Sequence, residues 1–405
     1  MSLIAPPRSR GRWLAAVLLL LVLLGAVSAQ YLRAVPAIAA RPLVQSATVA
    51  LGAPPALPWP VKGAGAVGAT DVGLLATGGS TASQAMFSVA KIMTALVLLE
   101  DKPLKPGEQG PVITVDAADV ASYQRRLAAG ESVVKVQAGE QISELQALEG
   151  LLIPSGNNVG ELLSRWDAGS EAAMVVKLNA RARVLHLANT TYDDVSGVST
   201  KTVSVPSELV IVAGLAMKDP LISTIVAQRQ AELPVAGVVY NVDYALGQEN
   251  IIGIKTGSSP DGGANFVFAA SHSVEGRPVT ILGAVMGLTT LDEAFAATRK
   301  LIQAVRPLLS VRHVVALHQP VGSYLAPWGS RTDIIAQHAV DIISWPGLPV
   351  RTRFEARPVS APLAAAAAVG TFSVKAGDQL LQTPLTTARD LARPTTRYRL
   401  TRTDF

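Results

Sequence analysis

Twenty consecutive residues, Trp13 to Leu32, carry no charge, and this run constrains the chain more than any other feature of it. A helix of that composition has no polar face and sits behind a basic cap, so it does not read as a buried core helix. Its strongly apolar part, Trp13 to Ala29, is slightly long for the core of an export signal and slightly short for a membrane span. Arg8, Arg10 and Arg12 precede it and no acidic residue does, which favours the cytoplasm for that end. Val27-Ser28-Ala29 reads as a small-residue cleavage site before Gln30. Residues 1–32 are therefore a signal peptide or an N-terminal membrane anchor, and both readings stay open. The residues beyond Leu32 are expected to fold and work outside the cytoplasm.

Composition narrows the chemistry. The 405 residues contain no cysteine, which excludes a thiol nucleophile, disulfides and thiolate metal sites. The five histidines (His186, His272, His313, His318 and His338) lack any ligand spacing, so no metal and no other cofactor is expected. Thirty-five basic residues against 30 acidic ones give a net charge of +5. Part of that surplus lies in residues 351–405, but without aromatic interleaving it does not read as a nucleic-acid surface.

The periodicity of the apolar residues divides the remainder. Residues 33–60 are rich in Pro and Ala without clear period and read as a spacer. Val67 to Thr77 reads as a strand pair. Helical stripes come next at Ser88–Glu100, Glu140–Ile153, from about Val159, and at Ala172–Leu187. Then the period changes: Val238–Tyr244, Ile251–Thr256, Asn265–Ser271 and Val279–Met286 read as strands. A last helix spans about Leu291 to Val305, opened by Thr290 with Glu293 three residues on. Helices succeeded by consecutive strands argue an α+β domain around an antiparallel sheet, placed at 61–310. Residues 311–395 read as a small β-rich C-terminal domain, with Leu363–Gly370 of uncertain form, and 396–405 as a tail.

Three short patterns carry the chemistry. Ser88 and Lys91 stand three apart at a helix start, which puts hydroxyl and amine on one face. Serine needs a base to become nucleophilic, and a lysine amine serves when burial and nearby cations depress its pKa. Ser155-Gly156-Asn157 falls just after Pro154, at a break between two helices. Such a break can point short polar side chains into a cleft, though these are also ordinary turn residues. Lys255-Thr256-Gly257 ends a strand; read functionally, lysine and threonine bind a carboxylate while glycine permits close backbone approach. Each pattern alone is weak. Together, in this order and separated by 67 and 100 residues, they are specific.

The set resembles the Ser-x-x-Lys, Ser-x-Asn and Lys-Thr-Gly motifs of penicillin-binding proteins and class A β-lactamases. FSVAKIMTALVLLE, LLIPSGNNVGELL and GIKTGSSPDGGANFVFAA resemble the low-molecular-weight penicillin-binding proteins of the D-alanyl-D-alanine carboxypeptidase type. The likeness runs from about Pro60 to Val305, approached through GESVVKVQAGEQISELQALEGLLIPSGNN, and the family's usual second domain matches the β-rich region. It implies a transpeptidase-like domain and a peptidoglycan stem peptide as substrate, with β-lactams as inhibitors. It implies Ser88 as nucleophile, Lys91 as base, Ser155 as proton relay and Asn157 as positioner. Lys255 and Thr256 would hold the terminal carboxylate, and the N–H groups of Ser88 and Ser258 would form the oxyanion hole. The expected location is the outer face of the membrane, through the N-terminal segment, or the cell wall.

Two departures accompany the likeness. The C-terminal RPTTRYRLTRTDF lacks the apolar face with which many relatives bind the membrane, and Phe87 and Val89 are unusual neighbours for the nucleophile. Three rival functions share the fold. A β-lactamase needs a glutamate that activates water, and none lies between Glu171 and Glu208, where Asp193 and Asp194 read as loop residues. A DD-endopeptidase uses the same machinery. An inactive wall-binding homologue would lack a catalytic group, and none is missing. The β-rich domain is expected to act as a stand for the active site.

Overall fold

The computed structural model describes residues 9–44, 46–259 and 263–403. Arg8 of the basic leader, Pro260 to Gly262 beside the third motif and the last two residues of the tail lie outside these. Helix α1 (Ser9–Leu32) is exposed from Gly11 to Ala29, and Gly11–Leu32 is long and apolar enough to cross a membrane. Its 24 residues span about 36 Å at the usual rise.

The α+β part is built on a five-stranded antiparallel sheet. Its strands run in the order Ile251–Ser258, Ala264–Val274, Arg277–Leu288, Ala64–Ala69 and Gly73–Gly79. The strands are almost wholly apolar because both faces are covered. Ala66, Ile254, Val267, Ala269, Ala284 and Met286 face a helical layer. That layer comprises α2 (Lys91–Asp101), α3 (Ala117–Ala128), α4 (Glu144–Leu152), α5 (Asn157–Ala168), α6 (Glu171–Val184), α7 (Pro206–Lys218) and α8 (Pro220–Val226). Helix α2 is buried from Lys91 through Leu99 and runs through its middle.

On the other face, Val67, Phe266, Phe268 and Val285 pack on α9 (Leu291–Val305). Thr290 accepts a hydrogen bond from the Glu293 amide, as its position predicts. The Glu293 carboxylate reaches back to Thr289 instead of Thr290.

The apolar cluster behind this face continues into the β-rich part through Val321, Tyr324, Ile334, Phe372 and Leu385. There a seven-stranded antiparallel sheet runs in the order Ala40–Pro42, Pro320–Leu325, Arg331–Ala336, Gln379–Thr387, Ala368–Ala376, Pro349–Ala356 and Thr48–Ala50. Both outer strands come from residues 33–60, which the composition predicts to be a spacer. Three-residue strands are too short to show a period, and only partners about 300 residues away define them, so the reading as plain spacer is corrected.

Two further differences have similar causes. Gly237–Tyr240 forms a separate hairpin with Gln230–Leu233 instead of joining the main sheet. The tail carries a short helix, α10 (Thr396–Thr401), docked on the end of α1. Arg399 donates to the Tyr31 carbonyl, Arg402 to those of Arg33 and Ala34, and Gln30 to the Arg402 carbonyl. Of these carbonyls, that of Tyr31 is one that the end of a helix leaves open.

Candidate active site

The segment ahead of α2 is pinned before it reaches Ser88. Asn265, on the second strand of the main sheet, donates to the carbonyls of Ala85 and Met86 and accepts from the Gly287 amide. Phe87 comes next with φ +52°, a left-handed conformation that costs an aromatic residue about 1–2 kcal/mol. Ser88 lies in the single 3₁₀ turn Phe87–Ala90, and α2 begins at Lys91. Val89 turns into the core, so only Phe87 of the two unusual neighbours lines the cleft.

Lys91 is fully buried, and its Nζ has three oxygen neighbours. Ser88 Oγ lies at 2.7 Å, Asn157 Oδ1 at 2.6 Å and the Ser196 carbonyl at 2.9 Å. Carbonyl oxygens only accept, so two N–H bonds of the amine are committed to Asn157 and Ser196. A neutral amine then has one lone pair left, directed at the Ser88 hydroxyl. The surroundings favour that neutral form. Burial, followed by the positive Lys255, holds the Lys91 amine well below the ordinary lysine range, while Asp194 pulls the other way.

The second motif comes from the turn between α4 and α5. Ser155 has φ +68°, and its buried Oγ has no hydrogen-bond partner among the described residues. Asn157 begins α5, its amide nitrogen bonded to the Ser132 carbonyl and its Nδ2 donating to Glu131 at 2.8 Å. Glu131 in turn accepts from Arg126, which also pairs with Glu161 on α5.

The third motif lies on the edge strand Ile251–Ser258, as its sequence context predicts. Lys255 and Thr256 are buried, and Lys255 donates to the Thr256 carbonyl at 3.1 Å. Burial lowers the Lys255 ammonium to about 7, with Asp243 opposing the shift. A Cβ at Gly257 would sit 2.7 Å from the Met86 carbonyl and 3.1 Å from the Ser88 nitrogen. Glycine thus lets the strand pass directly beside the serine turn. Ser88, Asn157 and Ser258 share one cleft of about 310 Å³ with Phe87, Glu131 and Gly197.

Several contributors escaped the sequence reading. Glu131 and Arg126 look like ordinary surface charges, and Gly197 looks like a turn glycine. Yet Gly197 has φ +78°, and a Cβ there would sit 1.7 Å from the Phe87 carbonyl oxygen. Asp194 does lie in a loop, where it accepts from Thr202 and from the amide of Val198 and so holds the Ser196 carbonyl in place. The glycine and aspartate cluster around 193–197 was the one available signal, and it marks turns of every kind.

Residues 68–289 match the family model described as D-alanyl-D-alanine carboxypeptidase. A D-alanyl-D-alanine carboxypeptidase of Streptomyces sp. strain K15 is 29% identical over 222 residues, covering 50% of this chain and 72% of that protein. A D-alanyl-D-alanine endopeptidase of Pseudomonas aeruginosa is 28% identical over 209 residues, covering 51% and 62%. The chain spans about half the length of other curated relatives that it matches. The fold is that of penicillin binding protein 5 from Haemophilus influenzae, with TM-score 0.60 at 18% identity over 84% of this chain and 99% of that one. The matched region is more than half of the sequence and contains all three motifs: the chain belongs to the D-alanyl-D-alanine carboxypeptidase family of serine hydrolases.

Proposed function

We propose that this chain removes the terminal D-alanine from peptidoglycan stem peptides through an acyl-enzyme on Ser88. The observation that carries the reading is the buried Lys91 amine, with two donors committed and its remaining position 2.7 Å from the Ser88 oxygen. Lys91 accepts the hydroxyl proton as Ser88 Oγ adds to the penultimate D-alanine carbonyl. The oxyanion forms against the backbone N–H groups of Ser88 and Ser258. Ser155, whose hydroxyl has no competing partner, passes a proton to the departing D-alanine nitrogen and regains one from Lys91. Water then adds to the ester, its proton going to Lys91, and Ser88 leaves with that proton. Lys255 and Thr256 hold the substrate carboxylate, Gly257 keeps their strand close, and Asn157 orients Lys91.

The same acyl chemistry makes β-lactams inhibitors. Asp194 is engaged by Thr202 and Val198, which supports slow deacylation over a β-lactamase role. The endopeptidase relative supports a second substrate with the same machinery, a cross-linked peptide. The work is assigned to the outer side of the membrane, with residues 61–310 as the catalytic domain and 311–395 as its stand.

Fluorescent penicillin tests the nucleophile. Wild type is expected to hold a stable label and Ser88→Ala none. A labelled Ser88→Ala protein, or an unlabelled wild type, would overturn the assignment. Parallel assays on a linear D-Ala-D-Ala peptide and on cross-linked dimers then decide between carboxypeptidase and endopeptidase, the linear peptide being the expected substrate.

A further inference from the structure

We infer that Glu131 is a positioning residue, whose carboxylate holds the Asn157 side-chain amide in the one orientation that leaves the Lys91 lone pair free for the Ser88 proton. This rests on the function proposed for the same site. Residues 130–134 follow α3 and run beside the first turn of α5. Backbone bonds place Glu131 there without the help of its own side chain. Its amide donates to the Arg126 carbonyl at 3.0 Å, and the Ser132 carbonyl accepts from the Asn157 amide at 2.8 Å. Two residues on, the Val134 amide and carbonyl both bond the Asn158 side chain, at 2.9 Å and 2.8 Å. Loop and helix start are thus one unit, whatever side chain stands at position 131.

The carboxylate has two partners on one oxygen. Oε2 accepts from Asn157 Nδ2 at 2.8 Å and from Arg126 at 2.5 Å, and the buried Arg126 is held in turn by Glu161 on α5. A carboxylate only accepts, so the part of the Asn157 amide that faces it is the NH2 group. The Asn157 Oδ1 is then left on the other side, where it accepts from Lys91 Nζ at 2.6 Å. Turned through half a circle, the amide would set its oxygen against the Glu131 carboxylate and an N–H against Lys91. That N–H would donate to the lone pair that the Ser88 proton needs, and Lys91 would lose one of the two acceptors that fix it. Among the described residues Asn157 Nδ2 has no acceptor besides Glu131.

The negative charge of Glu131 works in the other direction. Burial chiefly lowers the Lys91 amine, and Glu131 acts weakly to raise it. Removing the charge alone would favour the neutral base, so a slower enzyme without the carboxylate would not be explained by charge. The bonds from Arg126 through Glu131 and Asn157 end at Lys91, and none of them reaches Lys255 or Thr256. Glu131 therefore acts on acylation and not on the hold over the substrate carboxylate.

Two substitutions separate acceptor from charge. Glu131→Met removes the acceptor at similar length, whereas Glu131→Gln keeps an oxygen for Asn157 and removes the charge. In the full chain, Glu131→Met is expected to keep its native circular dichroism. It should slow penicillin acylation, and kcat on a D-Ala-D-Ala peptide, by at least about tenfold with KM changed less. Glu131→Gln should restore both rates to within about threefold of wild type. In an Asn157→Ala background Glu131→Met should cost nothing further, because the amide it positions is gone. Glu131→Met at the wild-type rate, Glu131→Gln as slow as Glu131→Met, or an equal loss from Glu131→Met with and without Asn157 would overturn the inference. Wild type that neither releases D-alanine nor takes penicillin would overturn the proposed function itself, so the two failures are told apart.

Discussion

The two domains bury polar groups in different ways. In the β-rich domain these are mainly hydroxyls occupied with backbone: Thr332 donates to the Arg389 carbonyl at 2.7 Å, Thr387 to that of Ala364, and Thr383 accepts from the His338 amide. In the α+β domain Lys91 and Lys255 are fully buried, and the Ser155 and Thr298 hydroxyls and one carboxylate oxygen each of Glu144 and Asp243 have no partner among the described residues. Burying a hydroxyl with a partner is close to neutral, whereas burying a charge is costly. The first pattern holds strands together. The second is an arrangement that stability alone would not favour, and it is where the three motifs converge.

Substitutions can break or sharpen that contrast. The largest effect is expected for Lys91→Met, which fills similar volume but removes the base. Acylation by penicillin should fall by at least about 10³-fold while circular dichroism stays native. Near-normal acylation would mean that the base lies elsewhere. Next is Gly197→Ala, where the added Cβ must displace Phe87 and with it Ser88. Here kcat/KM should drop about 10²-fold, with about 1–3 kcal/mol lost in denaturant unfolding. The smallest is Thr332→Val in the β-rich domain, costing about 1–2 kcal/mol and leaving kcat/KM at wild-type level. A change in activity there would show that the sheet shapes the cleft after all.

Much of the site could be read from the chain because its parts are short and local. Ser88 and Lys91 are one turn apart, and Lys255 to Ser258 are consecutive, so spacing alone carries geometry. The central strands were legible because two covered faces leave long apolar runs, and α9 because Thr290 and Glu293 mark its start. The rest depends on distant partners. Glu131 matters only because Asn157 meets it, and Gly197 only because Phe87 crosses it. A charge in a loop has no periodicity from which its neighbour could be inferred. The hairpin at Gln230–Tyr240 illustrates the same limit, since a strand signal does not say which sheet it will join.

The two outer strands of the seven-stranded sheet have a consequence for how the chain is made. Thr48–Ala50 pairs with Pro349–Ala356, and Ala40–Pro42 with Pro320–Leu325. A polypeptide appearing N-terminus first leaves these segments waiting while nearly the whole α+β part is still to come. Loop closure over such distances is slow, and an unpaired strand invites wrong partners in the interval. Residues 320–356 thus complete a sheet whose edges are residues 40–50. A chain cut after residue 310 would keep the three motifs, and α9 on the back of the main sheet, but leave its own leading strands without partners.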